Sequence, residues 1–257
     1  MGATVELHDV DRIYGEVHAL DSTTARLEPG SFTALVGPSG CGKSTLLDIV
    51  AGLNRGGGEV LIDGLGLSGP RRATGVIFQE AAVLPWRTVL DNAAFALETQ
   101  KVPRAERRKV ALDVLRRVGL SDFAGRYPHQ LSGGMRQRVA IARVLSTEPD
   151  LILADEPFGA LDEQTRVVLG LELLRVVRQT GATVLFVTHS IQEAVLLSDR
   201  VLVMSARPGR IMLDEQVGLP ADREPSLLGS ETATALVEKI WQQLRSEAER
   251  ALVEQGA

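Results

Sequence analysis

Cysteine is almost missing from this sequence, Cys41 being the only one. A lone thiol excludes an intrachain disulfide and suits a reducing compartment. A basic excess is missing too. Lys and Arg number 28 against 33 Asp and Glu, and the formal net charge is −5. With no surplus of positive charge to neutralise phosphates, nucleic acid is excluded as the main partner. Long apolar runs are also lacking: no uncharged stretch approaches the roughly 18 residues of a membrane span. The longest candidate, 179–192, is interrupted by Thr, Ser, His and Gln. The opening Met1-Gly2-Ala3-Thr4-Val5-Glu6 has neither the basic start nor the apolar core of a secretory signal. These absences predict a cytosolic chain that meets a membrane only through a partner. There is no internal repeat and no low-complexity region. The length of 257 residues and the 44% hydrophobic content leave room for one large α/β domain, or a domain with an insert, around a sizeable core.

The most informative stretch is Gly37-Pro38-Ser39-Gly40-Cys41-Gly42-Lys43-Ser44-Thr45, which fits the phosphate-loop pattern G-x-x-x-x-G-K-[ST]. The apolar run 32–36 before it reads as a buried strand. Leu46, Leu47, Ile49 and Val50 after it recur at helical spacing. In a strand–loop–helix setting, glycines let successive N–H groups turn inward as an anion nest, and the new helix adds its positive end. Lys43 is placed to reach the β- and γ-phosphates of a nucleoside triphosphate, and the Ser44 hydroxyl to ligate Mg²⁺. Cys41 is a small filler there, yet beside a nest of N–H groups its thiolate is expected to be favoured, with alkylation then blocking the loop.

Residues 4–36 read as an antiparallel β region, in which 5–10 alternates at period two and Glu28-Pro29-Gly30 supplies a turn. Arg55-Gly56-Gly57-Gly58 reads as a chain break, followed by a strand over 59–62 and another over 75–78 that ends at Gln79. Residues 80–129 show helical patterns at 90–100, 104–118 and 121–126. The middle one is rich in Arg but carries Val110, Leu112, Val114, Leu115 and Val118 as an apolar face, so a solvated helix is expected. Further helices are expected at 135–146, 163–179 and 191–197, the last capped by Ser190. Strands are expected at 151–154, 183–187 and 201–204, and an amphipathic helix from about Ser230 to Gly256 follows a linker at 220–229. Strands alternating with helices after a phosphate loop imply a largely parallel sheet covered on both faces.

Asp155 and Glu156 follow four apolar residues and so stand at the C-terminal end of a parallel strand, where ligands sit in such sheets. Asp155 is expected to hold Mg²⁺ and Glu156 to act as general base on a water. Gln79 and His189 fall at strand ends on the same edge.

At this point the sequence resembles the ATP-binding subunits of ABC transporters over nearly its whole length. Leu131-Ser132-Gly133-Gly134-Met135-Arg136-Gln137-Arg138 matches that family's signature. Gly159-Ala160-Leu161-Asp162 is similar to its D-loop, Gln79 to the Q-loop glutamine, His189 to the switch histidine, and Tyr14 to the aromatic that stacks on adenine. The resemblance implies an α/β P-loop NTPase fold of RecA-like type: a mainly parallel sheet, an N-terminal antiparallel β region and a helical insert at about 80–145. Residues 1–219 would form the ATPase domain and 220–257 a linker and C-terminal helix. It implies a catalytic set of Glu156, His189, Gln79 and Lys43. ATP would meet Tyr14, the 37–45 loop, Gln79, Asp155, Ser132, Gly133, Gly134 and Asp162, and Mg²⁺ would meet Ser44, Gln79 and Asp155. Two copies would pair head to tail, each ATP lying between one phosphate loop and the other chain's signature. Ser132, Gly133 and Gly134 are expected to precede a helix and to form that second anion site.

The stretches 78–89, 155–166 and 205–210 are similar to importers of nitrate, sulfonates and taurine. They imply a subunit on the cytoplasmic face of a membrane, working with two permeases fed by a solute-binding protein. Leu84-Pro85-Trp86 would be an apolar loop receiving a short permease helix, or else local packing under the helical insert. The segment 55–75 is shorter and richer in glycine than the family pattern. An exporter ATPase, or an importer of another solute class, is the alternative; a non-transport ABC ATPase would need a long coiled-coil insert or tandem cassettes.

Overall fold

The computed structural model describes residues 2–159 and 161–255, the side chains of 248–255 apart; Ala160 of the expected D-loop and Gly256 of the expected last helix lie outside the described residues. Two sheets carry the fold. Strands β1 (Val5–Tyr14), β2 (Val17–Leu27), β4 (Gly57–Ile62) and β5 (Leu65–Gly66) make an antiparallel sheet ordered β2-β1-β4-β5. The second sheet contains β3 (Phe32–Val36), β6 (Thr74–Ile77), β7 (Leu151–Asp155), β8 (Thr183–Val187), β9 (Arg200–Met204) and β10 (Ile211–Gln216). Its order is β10-β9-β3-β8-β7-β6, parallel except for β10, which runs antiparallel along β9.

The central strands have no polar face because both faces are covered. Alternate residues enter two cores, as period-two geometry requires. Leu35, Leu151, Leu153, Leu185 and Val187 pack under α1 (Lys43–Val50) and against Val5, Leu7 and Leu20 of the antiparallel sheet. Ala34, Val36, Ile152, Ala154, Val184 and Phe186 face the other way. They pack toward α2 (Val89–Ala93), α4 (Arg104–Arg117), α5 (Gly133–Leu145), α6 (Glu163–Thr180) and α7 (Ile191–Leu197). A short α3 (Phe95–Thr99) completes the insert. Helix α8 (Glu231–Gln255) buries Ala233, Leu236 and Ile240 in this second core. Among the described residues no helix is long and apolar enough to cross a membrane.

Several local readings change, among them the helix expected at 121–126, which is a single 3-10 turn over Ser121–Phe123. Strand β10 was not expected: Ile211-Met212-Leu213-Asp214-Glu215-Gln216 lacks alternation because it is a half-exposed edge strand. The glycines at 55–58 do not break the chain. Gly57 and Gly58 belong to β4 beside a register shift, and Gly58, at φ +71°, brings its backbone against Asp9, where a Cβ would lie 2.3 Å from the Asp9 oxygen. Leu112 is exposed, since the buried stripe of α4 runs through Ala111, Val114 and Leu115 on to Val118. Finally, Gly133 and Gly134 lie inside α5 rather than before it, with Ser132 as the cap. The Arg-rich face of α4 is solvated, as expected, with Arg116 and Arg117 both paired to Asp113.

Candidate functional site

Strand β3 delivers the chain at Val36 into the phosphate loop, which ends where α1 starts at Lys43. Gly42 caps that helix at φ 105°, and a Cβ there would sit 2.7 Å from Leu20, so both conformation and space demand glycine. Gly37 is equally confined: its Cβ would lie 2.8 Å from Cys41 Sγ. The buried Lys43 ammonium donates to the carbonyls of Gly37 and Pro38, both at 2.9 Å, so it arches back over the loop.

Tyr14, Ser39, Gly40, Gly42, Lys43, Ser44, Thr45 and Glu156 line one cleft of ≈ 320 Å³, together with Val17, Ala19 and Arg207. Tyr14 is held at its edge by Asn54, whose Nδ2 donates to the hydroxyl at 3.2 Å, and on its face by the Arg12 guanidinium 4.5 Å from the ring centroid. Asp155, at the end of β7, lies near the Ser44 hydroxyl, which favours its ionised form. Burial pushes the Asp155 carboxyl up from its ordinary range; the Ser44 hydroxyl opposes this and the neighbouring Glu156 charge adds to it. Glu156 takes a left-handed backbone, φ 42°, with its N–H bound to the Val187 carbonyl at 3.0 Å. A non-glycine residue held so is under local strain. Its Oε2 lies 3.2 Å from His189 Nδ1. A Cβ built on Gly159 would be 3.5 Å from both the Glu156 carboxylate and Gln79 Nε2, so Gln79 and Glu156 flank one glycine.

Cys41 departs from expectation. Its side chain is buried, and burial pushes the thiol up despite the nearby Lys43, so the thiolate is disfavoured. Iodoacetamide is therefore expected to leave Cys41 unmodified and ATP turnover unchanged until denaturant is added, as mass spectrometry of the intact chain will show.

Ser132, Gly133, Gly134 and Asp162 do not line this cleft. Ser132 caps α5 by accepting from the Met135 N–H at 3.3 Å. Asp162 caps α6 by accepting from the Thr165 N–H at 2.9 Å and hydroxyl at 2.7 Å, contacts that hold its carboxyl below the usual range. The two caps are neighbours, since a Cβ on Gly134 would lie 3.5 Å from Thr165 Cγ2.

Several supporting residues escaped the sequence reading. Buried Gln137 donates to the Phe78 carbonyl at 3.2 Å and so ties α5 to the residue before Gln79. Buried Asn92 binds both the N–H and the C=O of Leu84 and folds the 84–86 loop, leaving Trp86 71% exposed rather than packed. Glu193 accepts from Thr188, whose hydroxyl also receives the Ser190 N–H, which fixes the turn bearing His189. Only the spacing of polar residues inside apolar helix faces hinted at these.

The Asp155 shift predicts opposite effects on stability and activity. A carboxyl whose folded pKa is raised contributes most stability below its unfolded pKa and loses it as pH rises through the folded one. At neutral pH the charge on this half-buried carboxyl therefore costs stability. Asp155→Asn is expected to raise the nucleotide-free Tm by about 2–4 °C at pH 7.5, with the gain shrinking on acidification, while ATP turnover is lost. A calorimetric melt series from pH 5 to 8 checks this.

Comparison with known proteins accords with this geometry. The family model described as ABC transporter matches residues 20–159. An uncharacterized ABC transporter ATP-binding protein of Methanocaldococcus jannaschii is 50% identical over 209 residues, covering 81% of this chain and 78% of that one. The taurine import ATP-binding protein of Rhizobium johnstonii is 49% identical over 201 residues, 77% of each chain. A dimeric ATP-binding cassette solved in a post-hydrolysis state with ADP and Pi is 34% identical, superposes with a TM-score of 0.73, and covers 84% of this chain and 100% of its own. With its phosphate loop, strand-end carboxylates and six-stranded sheet set in the same frame, this chain belongs to the ABC transporter family and is one of its ATP-hydrolysing cassettes.

Proposed function

We propose that this cassette powers import of a small oxyanion or organosulfonate through a membrane transporter, using the 37–45 loop, Tyr14 and the Asp155–Glu156 pair as its ATP site. The observation that carries the ATP reading is the gathering of Tyr14, Lys43, Ser44, Thr45 and Glu156 around one cleft. Tyr14 would stack on adenine while the loop N–H groups and Lys43 take the phosphates. Mg²⁺ fits the donors present: the Ser44 hydroxyl and the half-buried Asp155 carboxylate are neighbouring hard oxygen ligands. Ser44, Asp155 and Gln79 would hold it, and when bound it neutralises charge on the β- and γ-phosphates. Glu156 removes the proton from the attacking water, and His189, hydrogen-bonded to that carboxylate, keeps the γ-phosphate and water in line.

The signature residues Ser132, Gly133 and Gly134 do not line this cleft. A second copy would supply Ser132, Gly133, Gly134 and Asp162, whose helix-start N–H groups suit the γ-phosphate. The dimer would then close on ATP and open after hydrolysis. In this reading residues 1–219 are the ATPase unit and 220–257 an appended linker and helix. The cassette would sit on the cytoplasmic face of the membrane, two permeases docking near exposed Trp86 and Phe78, with a solute-binding protein delivering cargo.

The solute class rests on likeness to the taurine importer. Gentle detergent extraction of the native membranes with this chain as bait tests it, followed by calorimetric titration of the recovered solute-binding protein with taurine, alkanesulfonates and nitrate. Recovery of a permease and a binding protein that takes one of these supports the reading. An exporter-type membrane subunit with no binding protein contradicts it.

A further inference from the structure

Arg207 lies in the cleft with no task given to it above, and we propose that it is a nucleotide-binding residue whose guanidinium grips the phosphate–ribose edge of ATP. The inference rests on the cleft being the ATP site. Of the residues lining the cleft, Lys43 and Arg207 are the only cations, and Lys43 is buried at the floor. Arg207 is exposed at the rim. Its Nε and Nη2 both donate to the Gly40 carbonyl, at 3.2 and 3.1 Å, so the planar head lies against the phosphate loop itself. Nearby arginines are satisfied by carboxylates, Arg210 by Asp21 and Arg200 by Asp214. Arg207 has no such ion pair among the described residues. An unpaired guanidinium with donors to spare, at the mouth of a cleft for a polyanion, is suited to bidentate phosphate contact.

The turn that carries it is held from three sides. Gly209 donates to the Ala19 carbonyl at 3.0 Å and accepts from the Asp21 N–H at 3.1 Å, fixing the turn to the β2 wall of the cleft. A Cβ on Gly209 would stand 2.1 Å from the Cys41 carbonyl, so only glycine lets the turn press on the phosphate loop. On the far side, the Ala206 N–H donates to Glu247 of α8 at 3.0 Å. The Ser205 hydroxyl donates across the turn to the Pro208 carbonyl at 2.9 Å. Arg207 is thus presented by a rigid support, which lowers the entropy cost of using it on a ligand.

The competing role is a brace: holding the Gly40 carbonyl outward so that the loop N–H groups face inward. Binding of Mg·ATP to the full chain, followed calorimetrically, separates the two when run on Arg207→Ala, Arg207→Gln and Arg207→Lys beside Lys43→Ala. The expected result is Kd and KM for ATP raised about tenfold in Arg207→Ala and Arg207→Gln. Part of the loss should return in Arg207→Lys, with kcat and the nucleotide-free Tm unchanged. Unaltered Kd in Arg207→Ala overturns the proposal. So does weakened binding that comes with a lower nucleotide-free Tm and is restored by Gln, which can hold Gly40 but carries no charge. If Lys43→Ala also leaves ATP affinity unaltered, the ATP reading of the cleft has failed; if only the Arg207 variants are silent, this inference alone falls.

Discussion

Replacing Glu156 with Gln is expected to slow ATP turnover by about 10²- to 10⁴-fold while leaving ATP binding intact. The physical reason is local. Glu156 leaves β7 in a left-handed backbone, its N–H fixed to the Val187 carbonyl, and its carboxylate lies 3.2 Å from His189 Nδ1. Glutamine has the same volume and can still bond to the histidine, so the cleft keeps its shape. What it loses is the capacity to accept a proton from water. With hydrolysis blocked, the ATP-bound pair should accumulate and elute as a dimer in Mg·ATP but not in Mg·ADP, by size-exclusion chromatography with light scattering. Wild-type phosphate release by the variant would remove Glu156 from the role of base.

Lys43→Ala is expected to weaken ATP binding by about 10- to 100-fold, the loss of one or more charge-assisted hydrogen bonds in a buried setting. Among the described residues, Lys43 Nζ donates to the Gly37 and Pro38 carbonyls and, at 3.8 Å, toward Cys41 Sγ, and to nothing else. No carboxylate forms an ion pair with it among the described residues, so its charge is open to phosphate. Equilibrium dialysis with Mg·ATP and Mg·ADP measures the effect. Equal affinity in the variant and the parent would show that the ammonium does not meet phosphate.

The reach of the sequence follows from where the chemistry is local. The 37–45 loop is legible because an anion nest needs glycine at set positions, and Asp155, Glu156 and His189 are legible because each follows a buried apolar strand. Ser190 as a cap and the solvated face of α4 follow from similarly short-range rules. What depends on packing between distant segments is not legible. Strand β10 exists because β9 offers an edge, not because its own residues alternate. Cys41 looks reactive from its neighbours along the chain, yet Met204, brought up by β9, helps to bury it: the Met204 Cβ would stand 3.1 Å from a Cβ on Gly37, beside the Cys41 sulfur. Arg207 lies 167 positions from Gly40, and only the turn after β9 joins them. Gln137 reaching Phe78 and Asn92 folding the Trp86 loop are of the same kind. In the single chain, too, Ser132 and Asp162 stand apart from the cleft, which the proposed second copy would complete.

Complementation between two inactive chains tests that central claim most directly. Lys43→Ala disables the phosphate loop and Ser132→Phe the signature end, so either protein alone should be inactive. In a head-to-tail dimer, a mixed pair keeps one intact site, formed by Lys43 of one chain and Ser132 of the other. An equimolar mixture should therefore recover up to about a quarter of the parental ATPase activity, since half the dimers are mixed and each has one of its two sites. A mixture as inactive as its components, with mixed dimers demonstrated by differential tagging, would contradict a shared site. So would a Ser132→Phe chain that hydrolyses ATP normally by itself.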